Sequence, residues 1–410
     1  MISELDVGGA EKNFVNLALG LRQLGHQVFI NSLDPRPNSG RDHLVSQLEQ
    51  AEIPVSFSKK SWSGWPNRSQ IAWLEQNFRD QAAKIACSFL VRANLATILA
   101  GRRYRRDDNG SPRPFPVVLG FRQAEPRFLV RSIEKWCLRQ AAATVCVSHQ
   151  VAQHYLGQRP PIEPDTLETC RPGQVMVIPN GVPDPQPTGP PPPDLQDCFG
   201  PNEVHSAKKM LPVLLFVGRL TEQKGLDQLL SITPAILRQL PEFRLVLVGQ
   251  GPLEHTLRIQ AARLDCHDRI HFLGWRANPL DFIQASTLVL LHSRWEGQPN
   301  AILEAMSLAK PFVTTDTHGV ADIFRPKLEC LDTPPNPVDL PLARRRQVVT
   351  NGNPTAYIDA VVSLAQDPEM AKNIGIWNQN HVQKHFSAAR FVTDYEQVFL
   401  KLAMPCQHSL

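Results

Sequence analysis

Apolar positions along the chain follow two periods in alternation. Residues 12–25, KNFVNLALGLRQLG, place Phe14, Leu17, Leu21 and Leu24 on one helical face, and Gly25 closes the helix. His26 to Ile30 then reads as a strand. Short apolar runs recur at 53–57, 116–119, 142–147, 175–178 and 211–217, and again at 244–248, 270–273, 287–291 and 311–314. Helix-period segments lie between most of them. Such alternation predicts an α/β protein with parallel sheets and helices on both faces. The chain opens at Leu5-Asp6-Val7-Gly8-Gly9, which reads as the loop after a strand, so the first strand of the first sheet is expected to be missing.

The 410 residues exceed what one ordinary core holds, and two domains are expected. The sharpest break in composition is 183–201, PDPQPTGPPPPDLQDCFGP, whose proline density suits an extended linker. The expected division is a first domain over 1–182, a linker over 183–210 and a second domain from 211. Two further stretches, 102–116 and 332–354, read as surface loops. Hydrophobic residues make up 42% and net charge is +4, too small an excess for a dedicated nucleic-acid binder. Arg102, Arg103, Arg105 and Arg106 form the densest basic run. It lacks neighbouring aromatics for base stacking, which leaves a solvated loop or a contact with anionic lipid. No apolar run approaches a membrane span of about 18 residues, and the N-terminus has no signal-peptide pattern. The eight cysteines include no C-x-x-C pair, as in a reducing compartment. A cytoplasmic location is expected, soluble or peripheral on the inner face of the membrane.

Candidate chemistry gathers at predicted strand ends in the second half. In TLVLLHSRWEGQPNAILEAMSLA, residues 287–309, a strand gives way to a turn with Glu296 and Gly297, and Pro299 is expected at the first helical position. Backbone N–H groups of residues 297–301 (Gly297, Gln298, Asn300 and Ala301, proline having none) would face outward there, an anion site suited to a diphosphate. Glu304 stands eight positions after Glu296, so the two carboxylates are expected at different depths of one cleft. Taken singly, Glu296 is also readable as a cap and Glu304 as a solvated helix residue. Gly218, Arg219 and Lys224 follow another buried run, where ligands bind in open α/β sheets. Arginine clamps phosphate oxygens in pairs and lysine acts as a point charge. Gly249 and Gly251 after a third strand, and His318 after a fourth, complete the set.

Here the chain resembles glycosyltransferase family 4. The residues are GGAEKNFVNLALGL near the start, VIPNGV at 177–182, LLFVGRLTEQKGLDQLL at 214–230, RLVLVGQGPLE, HFLGW and RWEGQPNAILEAMSLAKPFVTTD. The resemblance implies the GT-B fold, two Rossmann-like domains facing across a cleft, with the second domain over 211–376 and a C-terminal segment, 377–410, that crosses back to the first. It implies that Arg219 and Lys224 neutralise the donor diphosphate and that Glu296 lies near the transferred sugar. Gly297 to Ala301, Pro299 included, would cradle phosphate and sugar, and Glu304 would hold the ribose hydroxyls. Gly8 and Gly9 would form the loop that approaches diphosphate and acceptor. The implied activity is retaining transfer from a UDP- or GDP-sugar to a glycan or lipid-linked acceptor, in cell-surface polysaccharide synthesis, with no cofactor, metal or nucleic-acid partner.

Many relatives carry a histidine after the strand that corresponds to 116–119, where this chain reads Gly120-Phe121-Arg122-Gln123. Arg122 is a candidate contact for donor or acceptor, or an ion-pair partner. It is no acid–base catalyst, because arginine stays charged. His149, after the run ending near Val147, is a further candidate. An inactive nucleotide-sugar-binding or scaffold protein of the same fold is the alternative reading.

Overall fold

The computed structural model describes residues 1–6, 8–59, 64–105, 115–123, 127–157, 174–184, 190–199, 212–324 and 342–403. Among these are twelve β-strands and sixteen α-helices, numbered here in chain order. The chain divides into two compact units, Met1–Gly181 with Ala388–Leu410, and Val182–Ser387.

In the first unit, β3 (Ala86–Phe89), β4 (Val117–Phe121), β5 (Ala143–Cys146) and β6 (Val175–Val177) pair in that order, all parallel. β1 (Ile30–Ser32) pairs with β2 (Val55–Phe57), also parallel. Strands β4 and β5 are buried at every position, which is why they read as unbroken apolar runs. No strand forms among residues 1–6, and a single bridged residue ties them to the neighbouring strands. Ile2 is fully buried and bridges both Ser32 of β1 and Phe89 of β3. Its N–H donates to Asn31 and its carbonyl accepts from Leu33, while Phe89 N–H donates to Met1. The place of a central strand is thus held by one bridged residue. Beside it lies a cavity of about 530 Å³ lined by Met1, Phe14, Leu21, Ile30, Phe78 and Cys87 among others.

In the second unit, six parallel strands run in the order β12, β11, β10, β7, β8, β9. They are β7 (Val213–Val217), β8 (Arg244–Val248), β9 (Ile270–Gly274), β10 (Leu288–Leu291), β11 (Phe312–Thr315) and β12 (Val348–Val349). Counted from β7 as the first, this is 6-5-4-1-2-3, the doubly wound Rossmann order read from the other edge. The order reverses between β7 and β10, so a crevice is expected beyond the carboxyl ends of those two strands.

Three boundaries differ from the sequence expectation. The proline-rich stretch is not wholly a linker: α7 (Pro193–Gln196) sits within it, and Leu195, Cys198 and Phe199 join the second unit's core. Asp194 pairs with Arg276 at 2.6 Å, and Arg244 lies over the Phe199 ring. Apolar residues after the prolines give that segment something to bury. The C-terminal segment does not begin at 377, which falls inside α15 (Pro368–His385) of the second unit. The helix that belongs to the first unit is α16 (Ala388–Ala403), packed through Phe391, Val392, Tyr395 and Val398 into the cluster that holds Phe14, Leu17 and Leu21 of α1 (Gly9–Gln23). Third, the expected loop 332–354 contains α13 (Leu342–Gln347) and β12.

Candidate active site

The loops after β7 and β10 meet at the reversal point. After β7 the chain passes Gly218 and exposed Arg219, then makes a 3-10 turn over Glu222–Lys224 that leads into α8 (Leu226–Gln239). After β10 it runs from His292 to Pro299 and enters α11 (Asn300–Ser307). Lys224 Nζ donates to Glu296 Oε1 at 2.5 Å. The same oxygen accepts from Ser293 Oγ at 2.6 Å, and Oε2 accepts from Gln223 Nε2 at 3.3 Å. The Glu296 side chain is only 5% exposed and that of Lys224 18%. Three donors thus fix one buried carboxylate in a single orientation.

A second clamp holds the loops together. Arg294 Nη1 and Nη2 reach the two Asp227 carboxylate oxygens at 3.0 and 2.6 Å. Nη1 also donates to the Glu222 carbonyl, and the Arg294 N–H to that of Gln223. The paired hydrogen bonds to Arg294 hold the Asp227 carboxyl below its ordinary pKa. Thr315 Oγ1 donates to the Ser293 carbonyl at 2.6 Å, which ties the end of β11 to the same loop.

Two glycines let the backbones approach. At Gly225, φ is +59°, and an added Cβ would stand 2.1 Å from the His292 carbonyl oxygen. At Gly249, just past β8, φ is +142° and a Cβ would fall 1.9 Å from the Gly218 carbonyl oxygen. An L side chain is excluded there by conformation and by contact. Gly251 lies against Leu220 in the same pair of loops.

Pro299 is not the first helical residue. Its ψ of 109° is extended, which makes it the N-cap, and Asn300 opens the helix. The shift by one leaves the N-terminus of α11 directed at the loop of Gly297 and Gln298, both buried, with Asn300 and Ala301 half-buried. Glu304 is the fifth residue of α11 and only 8% exposed, so it is no solvated helix residue. The reversal point therefore gathers Gly218, Arg219, Lys224, Glu296 and the start of α11, with Gly249 and Gly251 on the neighbouring strand end.

The remaining candidates are His318, in this unit, and Gly8, Gly9, Arg122 and His149, in the first unit. His318 opens α12 (His318–Ile323), whose Gly319 abuts the Gly297 carbonyl, but the His318 side chain lies outside the described residues. In the first unit Gly8 caps α1 and Gly9 begins it, with the Glu11 carboxylate folded back against Gly8. Arg122 does not point into solvent. Its terminal nitrogens are buried, it lies over the Phe89 ring at 4.6 Å, and burial lowers its pKa. His149 is the first residue of α6 (His149–Leu156), half-buried behind the Ser148 cap. Sequence reasoning missed Gln223, Ser293, Arg294 and Asp227. The one local signal was Ser293 three positions before Glu296, beside the strand end.

Two family models cover most of the chain in this geometry's own order. The one for glycosyltransferase family 4 matches residues 7–184, and the one for glycosyl transferases group 1 matches residues 211–367. The chain belongs to glycosyltransferase family 4. A UDP-Gal:α-D-GlcNAc-diphosphoundecaprenol α-1,3-galactosyltransferase of Escherichia coli is 28% identical over 222 residues, 51% of this chain and 53% of that protein. An uncharacterised glycosyltransferase of Methanocaldococcus jannaschii is 34% identical over 121 residues, 29% of this chain and 30% of that one. These matches thus span from under a third to about half of the relatives' lengths. Among solved structures, Anabaena HepE in complex with UDP-glucose has a TM-score of 0.70 at 16% identity, covering 97% of this chain and 98% of its own. That likeness shows the fold, two Rossmann-like domains of the GT-B class.

Proposed function

We propose that this glycosyltransferase moves a sugar from a nucleoside diphosphate donor to a glycan or lipid-linked acceptor, with retention of configuration and without a metal, in the assembly of a cell-surface polysaccharide. The observation that carries the reading is the Lys224–Glu296 pair, which joins the loops after β7 and β10 at the reversal of strand order. A diphosphate in that crevice would meet Lys224, the exposed Arg219 and the N-terminus of α11. The bond from the anomeric carbon to the diphosphate oxygen breaks, and charge gathers on the leaving phosphate. Fixed cations and helix N–H groups oppose that charge where it develops, each worth about 2–4 kcal/mol. The acceptor hydroxyl oxygen bonds to the same face of the anomeric carbon, and its proton passes to a departing phosphate oxygen. Glu296, held by Lys224, Ser293 and Gln223, faces the sugar side, and Glu304 binds the ribose hydroxyls. The relatives supply the probe: the E. coli enzyme is named for UDP-galactose and a diphosphoundecaprenol acceptor, and HepE was captured with UDP-glucose.

The test is transfer of labelled sugar from UDP- and GDP-linked donors to a lipid-diphosphate-linked saccharide in the presence of EDTA. Proton NMR of the first product reads the anomeric configuration. The expected product keeps the donor's α configuration, and EDTA leaves the rate unchanged. A β product, or a rate abolished by EDTA and restored by Mg²⁺, would remove the mechanism but not the family assignment.

A further inference from the structure

Along the loop from His292 to Pro299 only Trp295 is exposed. A lone exposed apolar side chain on a helix needs no explanation, as with Ile259 and Ile376 elsewhere in the second unit. Trp295 differs, because the turn that carries it is fixed on both sides. Its own carbonyl accepts from Gln223 Nε2 at 3.0 Å. Arg294 before it is clamped to Asp227, and Glu296 after it is held by Lys224, Ser293 and Gln223. The indole itself has no hydrogen bond, cation or ring contact among the described residues.

A flat ring on a rigid turn gives up little freedom when something covers it. Its faces are apolar in area and carry partial negative charge, so they attract C–H groups. A pyranose chair matches such a surface, with C–H bonds on one face and hydroxyls around the rim. The parts of the donor have other partners in the proposed geometry. Lys224, Arg219 and the start of α11 take the diphosphate, Glu296 faces the transferred sugar, and Glu304 takes the ribose hydroxyls. The nucleobase continues from the ribose, at the far end of the donor from Glu296 and Trp295. The molecule that must lie against the transferred sugar, and that has no partner yet, is the acceptor.

We propose, resting on that donor orientation, that the Trp295 indole is a stacking platform for a pyranose ring of the acceptor, beside the sugar being transferred. Trp295 sets acceptor affinity and the plane of the acceptor ring. It moves no proton and opposes no charge. Stacking reads the face of a ring and not its individual hydroxyls, so the platform takes more than one hexose. An open-chain polyol, with the same hydroxyls and no ring face, gains nothing from it.

The experiment pairs steady-state transfer with direct binding. With the lipid-diphosphate-linked saccharide as acceptor, Trp295→Ala should raise the acceptor KM roughly tenfold and lower kcat less than about threefold. Trp295→Phe keeps a ring face and should stay within about threefold of the parent in both. Calorimetry with UDP should give the parent's affinity for each variant. For direct binding, isotope-labelled indole N–H spectra of the full chain are recorded with methyl α-glucopyranoside, sorbitol and UDP in separate titrations. The Trp295 signal is the one absent from the Trp295→Phe spectrum. The glucoside should move it and sorbitol should not. This second arm needs no turnover. If the chain transfers no sugar and binds no UDP, the donor reading fails, and the glucoside shift alone keeps or removes the platform. An unchanged acceptor KM in Trp295→Ala, a loss confined to kcat, or a signal moved by UDP and not by the glucoside would overturn the proposal.

Discussion

Replacing Lys224 with alanine is expected to lower the rate of sugar transfer by about two to three orders of magnitude, the usual effect of deleting one preorganised donor at a site of developing charge. Lys224 has two tasks in this geometry. It is a cation at the reversal point of the sheet, and it holds Glu296 Oε1 at 2.5 Å. Alanine removes both, and a carboxylate only 5% exposed is left with Ser293 and Gln223 as its donors. Breaking one side of a buried pair costs about 3 kcal/mol or more of stability, so the variant should also melt earlier. Lys224→Ala combined with Glu296→Gln separates the two tasks. The neutral amide removes the unpaired charge, so the double variant should regain most of the lost stability and none of the lost rate. The turnover number and a thermal melt of each variant check this. A loss of rate under about tenfold for Lys224→Ala would place the lysine away from the leaving phosphate.

Gly249→Ala should be the most damaging small change in the second unit. The substitution adds one methyl group, but at φ +142° and 1.9 Å from the Gly218 carbonyl oxygen. Neither backbone can yield cheaply. Gly249 N–H donates to Gly274 at 2.8 Å and Gly218 N–H to Val248 at 3.0 Å, so movement of either breaks the joint ends of β7, β8 and β9. A loss of at least about 3 kcal/mol is expected, from backbone strain and overlap together. For a unit of this size that corresponds to a fall in Tm of about 6–12 °C. Gly352→Ala is the matched reference. Gly352 has φ +82° with nothing within 4 Å of its Cβ position, so only the conformational strain applies, about 1 kcal/mol. If the two variants melt together, contact with Gly218 is not what fixes Gly249.

Much of this fold is written in local pattern. Strands β4, β5, β7, β8 and β10 are apolar on both faces, and their runs stand out in the sequence. β3 does not, because Ala86-Cys87-Ser88-Phe89 is short and carries two small polar or weakly apolar residues, of which Ser88 is buried and Cys87 half-buried. β12 is two residues long and follows Arg344, Arg345 and Arg346, which make the segment look like a surface loop. The opening residues read as a loop because Ser3, Glu4 and Asp6 break the apolar run, yet Ile2 and Leu5 are fully buried. At the site, the charged residues past the strand ends were visible singly. What joins them was not. Lys224 and Glu296 are 72 positions apart, and Arg294 and Asp227 are 67 apart, and no short-range period encodes such pairs. Arg122 shows the converse. A charged residue at a strand end reads as a site candidate, but the fold turns its guanidinium inward over Phe89.

The central claim is that a nucleoside diphosphate binds at the crevice beyond β7 and β10. Calorimetric titration of the chain with UDP and with GDP, in EDTA, tests it most directly, repeated on Arg219→Ala and Glu304→Ala. The account predicts metal-free binding of one nucleotide, weakened about tenfold or more by each substitution, since each removes charged hydrogen bonds worth about 1.5–3 kcal/mol. Binding left unchanged by both substitutions would put the nucleotide elsewhere. No binding of either nucleotide would contradict the donor site as drawn and favour an inactive protein on a glycosyltransferase fold.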